Sequence, residues 1–123
     1  MAKMIVTGGG GFIGSHLVRA LLEKGDEVHV VDTFVAGKLP ERLDARAQYY
    51  EIDITNTDAL SALMEGADTV FHLAAIPRVP YSVAHPVEST HANITGTVSV
   101  LTAASRAKVR RVVSSSSGSV YGD

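Results

Sequence analysis

The 123-residue sequence has no cysteine and no tryptophan, and aromatic residues make up only 6% of it. Without cysteine there is no disulfide framework and no thiolate metal site, which accords with a reducing cytoplasm. Its 11 basic and 13 acidic side chains leave a formal charge of −2, so no positive excess draws it to nucleic acid or to an anionic membrane. No apolar run approaches the roughly 20 residues that a membrane-spanning helix needs. Met1 to Val6 run straight into the first strand, an arrangement with no room for a signal peptide. The five histidines (16, 29, 72, 85 and 91) show no pairing at metal-ligand spacing and are expected in the core or at its boundary. There is no repeat, no low-complexity tract and no linker. At 46% hydrophobic and 20% charged, the sequence is globular and of one-domain size, too short for a two-domain enzyme.

What the chain does have is glycine, concentrated in Thr7-Gly8-Gly9-Gly10-Gly11-Phe12-Ile13-Gly14. The apolar stretch Met4-Ile5-Val6 before it suits a buried strand. After it Phe12, Ile13, His16, Leu17, Ala20 and Leu21 recur at helical spacing, predicting a first helix over Phe12–Lys24 that stops at Gly25. Strand, glycine turn and helix in that order form a phosphate cradle. Glycine lets the turn tighten and the backbone approach an anion, and the helix N-terminus faces it. The spacing fits both Gly9-x-Gly11-x-x-Gly14 and Gly8-x-x-Gly11-x-x-Gly14, and it leaves open which one operates.

Strand and helix keep alternating. A second strand, Glu27–Asp32, is almost continuously apolar, as a parallel strand covered on both faces should be. A short helix is expected near Glu41–Ala45 and a third strand at Gln48–Asp53. Thr55-Asn56-Thr57-Asp58 has the form of a capping box, opening a helix through Ala59, Leu60, Leu63 and Met64 to Gly66. A fourth strand follows at Thr69–Ala75. A proline-bearing loop, Ile76–His85, leads into a helix from Pro86. There Val87, His91, Ile94, Val98 and Leu101 form the stripe expected to face the sheet. Lys108-Val109-Arg110-Arg111 reads as a solvated helix end before a fifth strand, Arg111–Ser115. The expected fold is α/β, a Rossmann-type doubly wound parallel sheet in the order 3-2-1-4-5.

Asp32 strengthens the glycine signal, because it ends the second strand eighteen residues beyond Gly14. A carboxylate there accepts hydrogen bonds from ribose hydroxyls and repels a 2′-phosphate, which favours NAD over NADP. The plainer alternative is an aspartate that merely ends a strand beside a turn. Asp53 also ends a strand, where it can meet an adenine amino group while Ile54 packs on the ring, or else sit solvated in a turn. Ser114-Ser115-Ser116-Ser117 leaves the fifth strand on the side where a nicotinamide would lie.

Taken together, the glycine run through Leu17, Asp32, Asp53-Ile54, His72-Leu73-Ala74-Ala75, Asn93-Ile94-Thr95-Gly96-Thr97 and Ser115 to Asp123 resemble the extended short-chain dehydrogenase/reductases. Within these they are most similar to the NAD-dependent sugar-nucleotide epimerases and dehydratases. The resemblance covers the whole chain, residues 1–123, as an NAD-binding Rossmann portion of a longer enzyme. It implies that Gly8, Gly11 and Gly14 form the pyrophosphate turn, with backbone N–H groups of Phe12 and Ile13. It implies that Asp32 holds the adenosine ribose with Lys38 nearby, that Asp53 and Ile54 flank adenine, and that Leu73, Ala74 and Ala75 line the middle of the cofactor. Asn93 and Ser115 would lie at the nicotinamide end, and Ser117 matches the catalytic Ser/Thr that hydrogen-bonds the sugar oxygen being oxidised.

The implied reaction is reversible hydride transfer at sugar C4 through a 4-keto intermediate, with UDP-glucose and UDP-galactose as the substrate pair. Dehydratases of this kind place Asp-Glu just before Val-Tyr-Gly, and related decarboxylases keep the Glu. Gly118 and Ser119 stand there in this sequence and supply neither acid nor base, so an epimerase fits better. The family's catalytic base is a Tyr with a Lys four residues on. The tyrosines here, 49, 50, 81 and 121, have Asp53, Ile54, His85 and no residue at that spacing. The chain is therefore expected to bind NAD(H) without turnover, with the catalytic helix and the substrate lobe beyond residue 123 and strand five left as an exposed edge. Such proteins commonly form homodimers through helices beside the sheet, although no self-complementary stripe stands out. The competing expectations are a stand-alone, non-catalytic dinucleotide-binding module and a family reductase or dehydratase of another substrate.

Overall fold

In the computed structural model, which describes residues 1–122, a parallel five-stranded sheet has the order β3-β2-β1-β4-β5. Asp123, the last residue of the resemblance, lies outside the described residues. The strands are β1 (Lys3–Thr7), β2 (Glu27–Asp32), β3 (Gln48–Glu51), β4 (Thr69–His72) and β5 (Arg111–Ser114). β3, β4 and β5 end one to three residues before their expected limits. The helices are α1 (Phe12–Glu23), α2 (Thr57–Leu63), α3 (Val79–Ala84), α4 (Pro86–Thr90) and α5 (Gly96–Arg106), with a π turn, His91–Thr95, joining the last two. The short helix expected near Glu41 is a single 3-10 turn at Pro40–Arg42. β5 pairs only with β4 among the described residues, which leaves its other side open as expected.

Alternation along the strands divides the core between the two faces of the sheet. Met4, Val6, Val28 and Val30 pack against Val18 and Leu21 of α1. Ile5, Val31 and Val70 point the other way, onto Ile54, Leu60, Met64, Val100, Ala103 and Ala104. Leu60 and Met64 are completely buried, and burial of each stabilises the fold by about 2–3 kcal/mol. At the start of β4, Asp68 holds Arg110 in a two-point ion pair (2.8 and 3.1 Å), so this arginine clamps β4 to β5. Lys108, Arg110 and Arg111 are exposed as expected of a solvated helix end, and this ion pair adds a tie within it. The Arg110 guanidinium and the Thr69 hydroxyl hold the Asp68 carboxyl down at about 2.

Four further expectations fail, each for a local reason. Phe12, Ile13 and His16 are exposed, and α1 buries Gly14, Ser15, Val18 and Leu21 instead. The first turn of α1 lies so close to the glycine turn that only small residues fit beneath it. At the start of α2, Asn56 rather than Thr55 is the cap, its side chain accepting from the Ala59 N–H at 3.2 Å. The Thr55 hydroxyl is engaged elsewhere, donating to Asp53 at 2.8 Å. The expected loop Ile76–His85 contains α3.

The stripe Val87, Ile94, Val98, Leu101 faces outward, with Val98 58% and Leu101 49% exposed. The residues that reach the core are Ser89, Gly96, Ser99, Val100, Ala103 and Ala104. Small residues let α5 approach α2 closely. The Ser99 hydroxyl meets that of Thr57 at 2.7 Å, and a Cβ on Gly96 would lie 2.4 Å from Ile54 Cδ1. The π turn also breaks the 3.6-residue repeat on which the expected stripe rested.

Candidate functional site

The carboxyl ends of the five strands form one edge of the sheet, which is where open α/β sheets bind ligands. β1 and β4 lie side by side there although their outgoing chains diverge, so a crevice opens between them. Gly8 turns the chain out of β1 with φ +72°, a conformation that favours glycine. Its N–H donates to Val31 O at 2.8 Å, and its carbonyl accepts from Gly11 N–H at 3.1 Å.

The glycines are not equivalent in their surroundings. A Cβ on Gly14 would sit 2.2 Å from Gly8 O, one on Gly8 2.8 Å from Ala74 N, and one on Gly9 2.6 Å from Val30 Cγ1. Those three are required by the protein itself. Gly10 closes on Phe34 and Asp32. Gly11 alone meets only one atom, Gly8 O at 3.3 Å, so its other side is open to a ligand. Gly8 makes the turn, Gly11 the helix start and Gly14 the close packing, and Gly9 is as closed as Gly8, so the geometry accommodates both spacings. Gly11 starts α1 with no side-chain cap and no acid in the first turn. The N–H groups of Phe12 and Ile13 have no helical acceptor, and the positive end of the helix is free for an anion. Their side chains are exposed.

Asp32 ties this turn to β2. One carboxylate oxygen accepts from Gly10 N–H at 2.9 Å and the other from Phe34 N–H at 2.7 Å. A carboxylate offers about four lone-pair sites, so acceptor capacity remains for two hydroxyls. Lys38 lies with Nζ 4.9 Å from the centre of the Phe34 ring. Beyond β3, Asp53 accepts both the N–H and the hydroxyl of Thr55, and these bonds lower its pKa. Ile54 departs from the expectation. Its side chain is buried in the core, so only its main chain is left to face an adenine.

On the far side of the crevice, the N–H groups of Leu73 and Ala74 both donate to Thr7 Oγ1 at 3.1 Å. Ala75 is exposed beside them. Asn93, within the π turn, grips Ile76 at two points, accepting from its N–H at 2.7 Å and donating to its carbonyl at 2.9 Å. Ser115 N–H donates to His72 O at 3.2 Å, which extends the pairing past the end of β5. Ser117 caps a closing 3-10 turn, Gly118–Tyr121, by accepting from Ser119 N–H at 3.0 Å, and its own proton stays available to donate. Asp53, Asp32, the glycine turn, Leu73-Ala74 and Ser115 therefore succeed one another along the edge from β3 to β5. At about 4.8 Å between strands this row spans about 19 Å.

Thr7, His72 and Thr97 make a buried chain behind the site that the motif spacing does not announce. His72 Nδ1 lies 2.7 Å from Thr7 Oγ1, and Nε2 lies 3.0 Å from Thr97 Oγ1. Burial lowers the His72 pKa. Among the described residues no group of three or more His, Asp or Glu is placed to hold a metal, and no helix is long and apolar enough to cross a membrane.

A model of the NAD dependent epimerase/dehydratase family matches residues 4–123. The chain belongs to that family. Among its relatives, a UDP-glucose 4-epimerase of Lactobacillus helveticus is 40% identical over 122 residues, covering 98% of the chain and 37% of the relative. A UDP-N-acetyl-alpha-D-glucosaminuronate decarboxylase of Bacillus cytotoxicus is 37% identical over 122 residues, 98% of the chain and 38% of the relative. The crystal structure of UDP-glucose 4-epimerase from Brucella ovis in complex with NAD superposes with a TM-score of 0.91 at 31% identity, covering 100% of the chain and 38% of that protein. The chain thus spans less than two-fifths of the length of each.

Proposed function

We propose that this chain is the NAD-binding portion of a nucleotide-sugar 4-epimerase of the UDP-glucose/UDP-galactose type, acting in the cytoplasm. The observation that carries the reading is Gly11. It stands open at an uncapped helix start, while its neighbours in the glycine run are closed against the protein. The residues present fit the dinucleotide. Gly11 with the N–H groups of Phe12 and Ile13 holds the pyrophosphate, and Asp32 takes the adenosine ribose with Lys38 at its rim. Asp53 and the main chain of Ile54 border adenine, Leu73, Ala74 and Ala75 line the middle, and Asn93 and Ser115 shape the nicotinamide end. When bound, NAD⁺ supplies reversible acceptance of a hydride from sugar C4.

Ser117 donates its hydroxyl proton to the oxygen on C4, held in place by the Ser119 N–H bonded to its Oγ. Gly118 and Ser119 offer no acid–base pair for eliminating water, which supports epimerisation over dehydration. A tyrosine base must have its pKa lowered by a neighbouring cation to act near neutral pH, and residues 1–123 contain no Tyr-x-x-x-Lys. The isolated chain therefore binds cofactor without turnover. The homodimer belongs to the same reading, and the outward stripe Val87, Ile94, Val98, Leu101 is the surface that supports it.

Calorimetric titration with NAD⁺ and NADP⁺ tests the cofactor assignment. Binding of NAD⁺ with weaker or no binding of NADP⁺ is expected, and a preference for NADP⁺ overturns the role of Asp32. Conversion of UDP-galactose to UDP-glucose by the purified 123-residue chain would refute the absence of turnover.

A further inference from the structure

We propose that His72 is a positioning residue of this site, locking the Leu73–Ile76 segment to the π turn through a neutral Nε2–H tautomer. The proposal rests on the dinucleotide reading above, since Leu73–Ile76 is the segment that borders the cofactor. The directions of the hydrogen bonds allow one assignment. Thr97 donates its hydroxyl proton to Asn93 O at 2.6 Å, so toward His72 it is an acceptor, and His72 carries its proton on Nε2. Nδ1 then accepts, and the Thr7 hydroxyl donates to it at 2.7 Å. The lone pairs of Thr7 are left for the N–H groups of Leu73 and Ala74, both at 3.1 Å.

This chain closes on itself. It fixes the near end of the segment through Thr7, and its other end reaches Asn93, whose amide fixes Ile76 at 2.7 and 2.9 Å. The imidazole, 5% exposed, is thus linked to both anchors of a four-residue segment, which are themselves completed by Leu73 N–H donating to Thr7 O at 3.1 Å and by the Asn93 amide on Ile76. The glycine turn feels the same segment directly, because Gly8 has no room for a Cβ against Ala74 N. π turns within helices frequently mark functional positions, and this one carries both Asn93 O and the Asn93 amide. Thr7 of β1 and Thr97 of α5 meet the ring through hydroxyls, and among the described residues no charged group acts on it.

Thr97→Val removes the acceptor for Nε2–H while keeping the side-chain shape, and Thr97→Ser restores the hydroxyl. The 123-residue chain and both variants are titrated with NAD⁺, with His72 ring nitrogen shifts and amide hydrogen exchange of Leu73 and Ala74 recorded by NMR. The expected result is the Nε2–H tautomer in the unaltered chain. Thr97→Val should bind NAD⁺ about tenfold more weakly, the size of one lost hydrogen bond, with faster exchange at Leu73 and Ala74. Thr97→Ser should recover both. Affinity within about twofold and unchanged exchange in Thr97→Val, or a loss that Thr97→Ser does not recover, overturns the proposal. If the unaltered chain binds no NAD⁺, the dinucleotide reading fails instead, and an Nδ1–H tautomer or unchanged exchange then overturns the relay by itself.

Discussion

Two glycines three positions apart, one at the start of α1 and one inside it, do different work. Gly14 is needed by the fold, because a methyl group there would overlap Gly8 O at 2.2 Å. Gly14→Ala is expected to cost about 3 kcal/mol or more, since backbone rather than a flexible side chain must yield. Gly11 meets only Gly8 O at 3.3 Å. Gly11→Ala should cost about 1 kcal/mol, the order of a helix-cap change, yet weaken NAD⁺ binding sharply because its methyl group enters the pyrophosphate position. Urea unfolding of the two variants beside their NAD⁺ titrations separates these effects, and equal losses of stability would contradict the division. His72 gives a pH signature of its own. Burial depresses its folded pKa below the ordinary 6.5, so in that interval the unfolded chain holds the proton and the folded chain does not. Stability should be flat above pH 6.5, fall as the pH drops toward the folded value, and then level off. Asp44, held at about 2 by Arg46, and Asp68, held at about 2 by Arg110, lose their contributions only at lower pH, below the ordinary 3.8. Urea midpoints measured across this range should show the higher slope, and His72→Gln should abolish it.

At the scale of elements, strand identity and helix facing were legible to different degrees. A parallel strand covered on both faces must be apolar at nearly every position, so β1, β2 and β4 stand out, and alternation with helices leads to the order 3-2-1-4-5. The buried face of a helix is another matter. Hydrophobic periodicity reports the size of side chains, whereas α1 and α5 meet their neighbours through Gly14, Ser15, Gly96, Ser99 and Ala103, whose value lies in how closely they let the backbone approach. The large residues Phe12, Ile13, Val98 and Leu101 therefore misled. Gly8, Gly14 and Asp32 stand out in the sequence because they fall at fixed places in the strand–turn–helix–strand order, Asp32 eighteen residues beyond Gly14. The relay does not, because Thr7, His72 and Thr97 meet across separations of 65 and 25 residues and carry no fixed spacing. The corrected face of α5 is open to test. Val100 is fully buried and Val98 is 58% exposed. Val100→Ala should destabilise by about 2 kcal/mol, and Val98→Ala should stay within about 0.5 kcal/mol. The opposite ranking in thermal unfolding would restore the stripe expected from periodicity.

For the whole molecule, the proposed function makes the sheet edge one continuous ligand face. The crevice between β1 and β4 exists because the chain leaves those neighbouring strands in opposite directions, and this arrangement needs nothing beyond the five strands described. The residues that border it come from every strand end, and the tie between Asp32 and Gly10 joins two of those ends before any ligand arrives. A cofactor laid along this face contacts elements far apart in sequence and absent in that arrangement from the unfolded chain. Binding must therefore stabilise the chain as a unit. With NAD⁺ at one hundred times its dissociation constant, the linkage amounts to about 2.7 kcal/mol. For a domain of this size that raises the unfolding temperature by about 10 °C. A thermal scan of the 123-residue chain with NAD⁺ should show the shift growing with the logarithm of concentration. NADP⁺ should produce less, because its 2′-phosphate meets Asp32. Gly11→Ala should lose most of the shift, while its ligand-free unfolding temperature falls by only about 4 °C. A chain that NAD⁺ leaves unmoved at millimolar concentration would mean that the strand-end row is not a cofactor face.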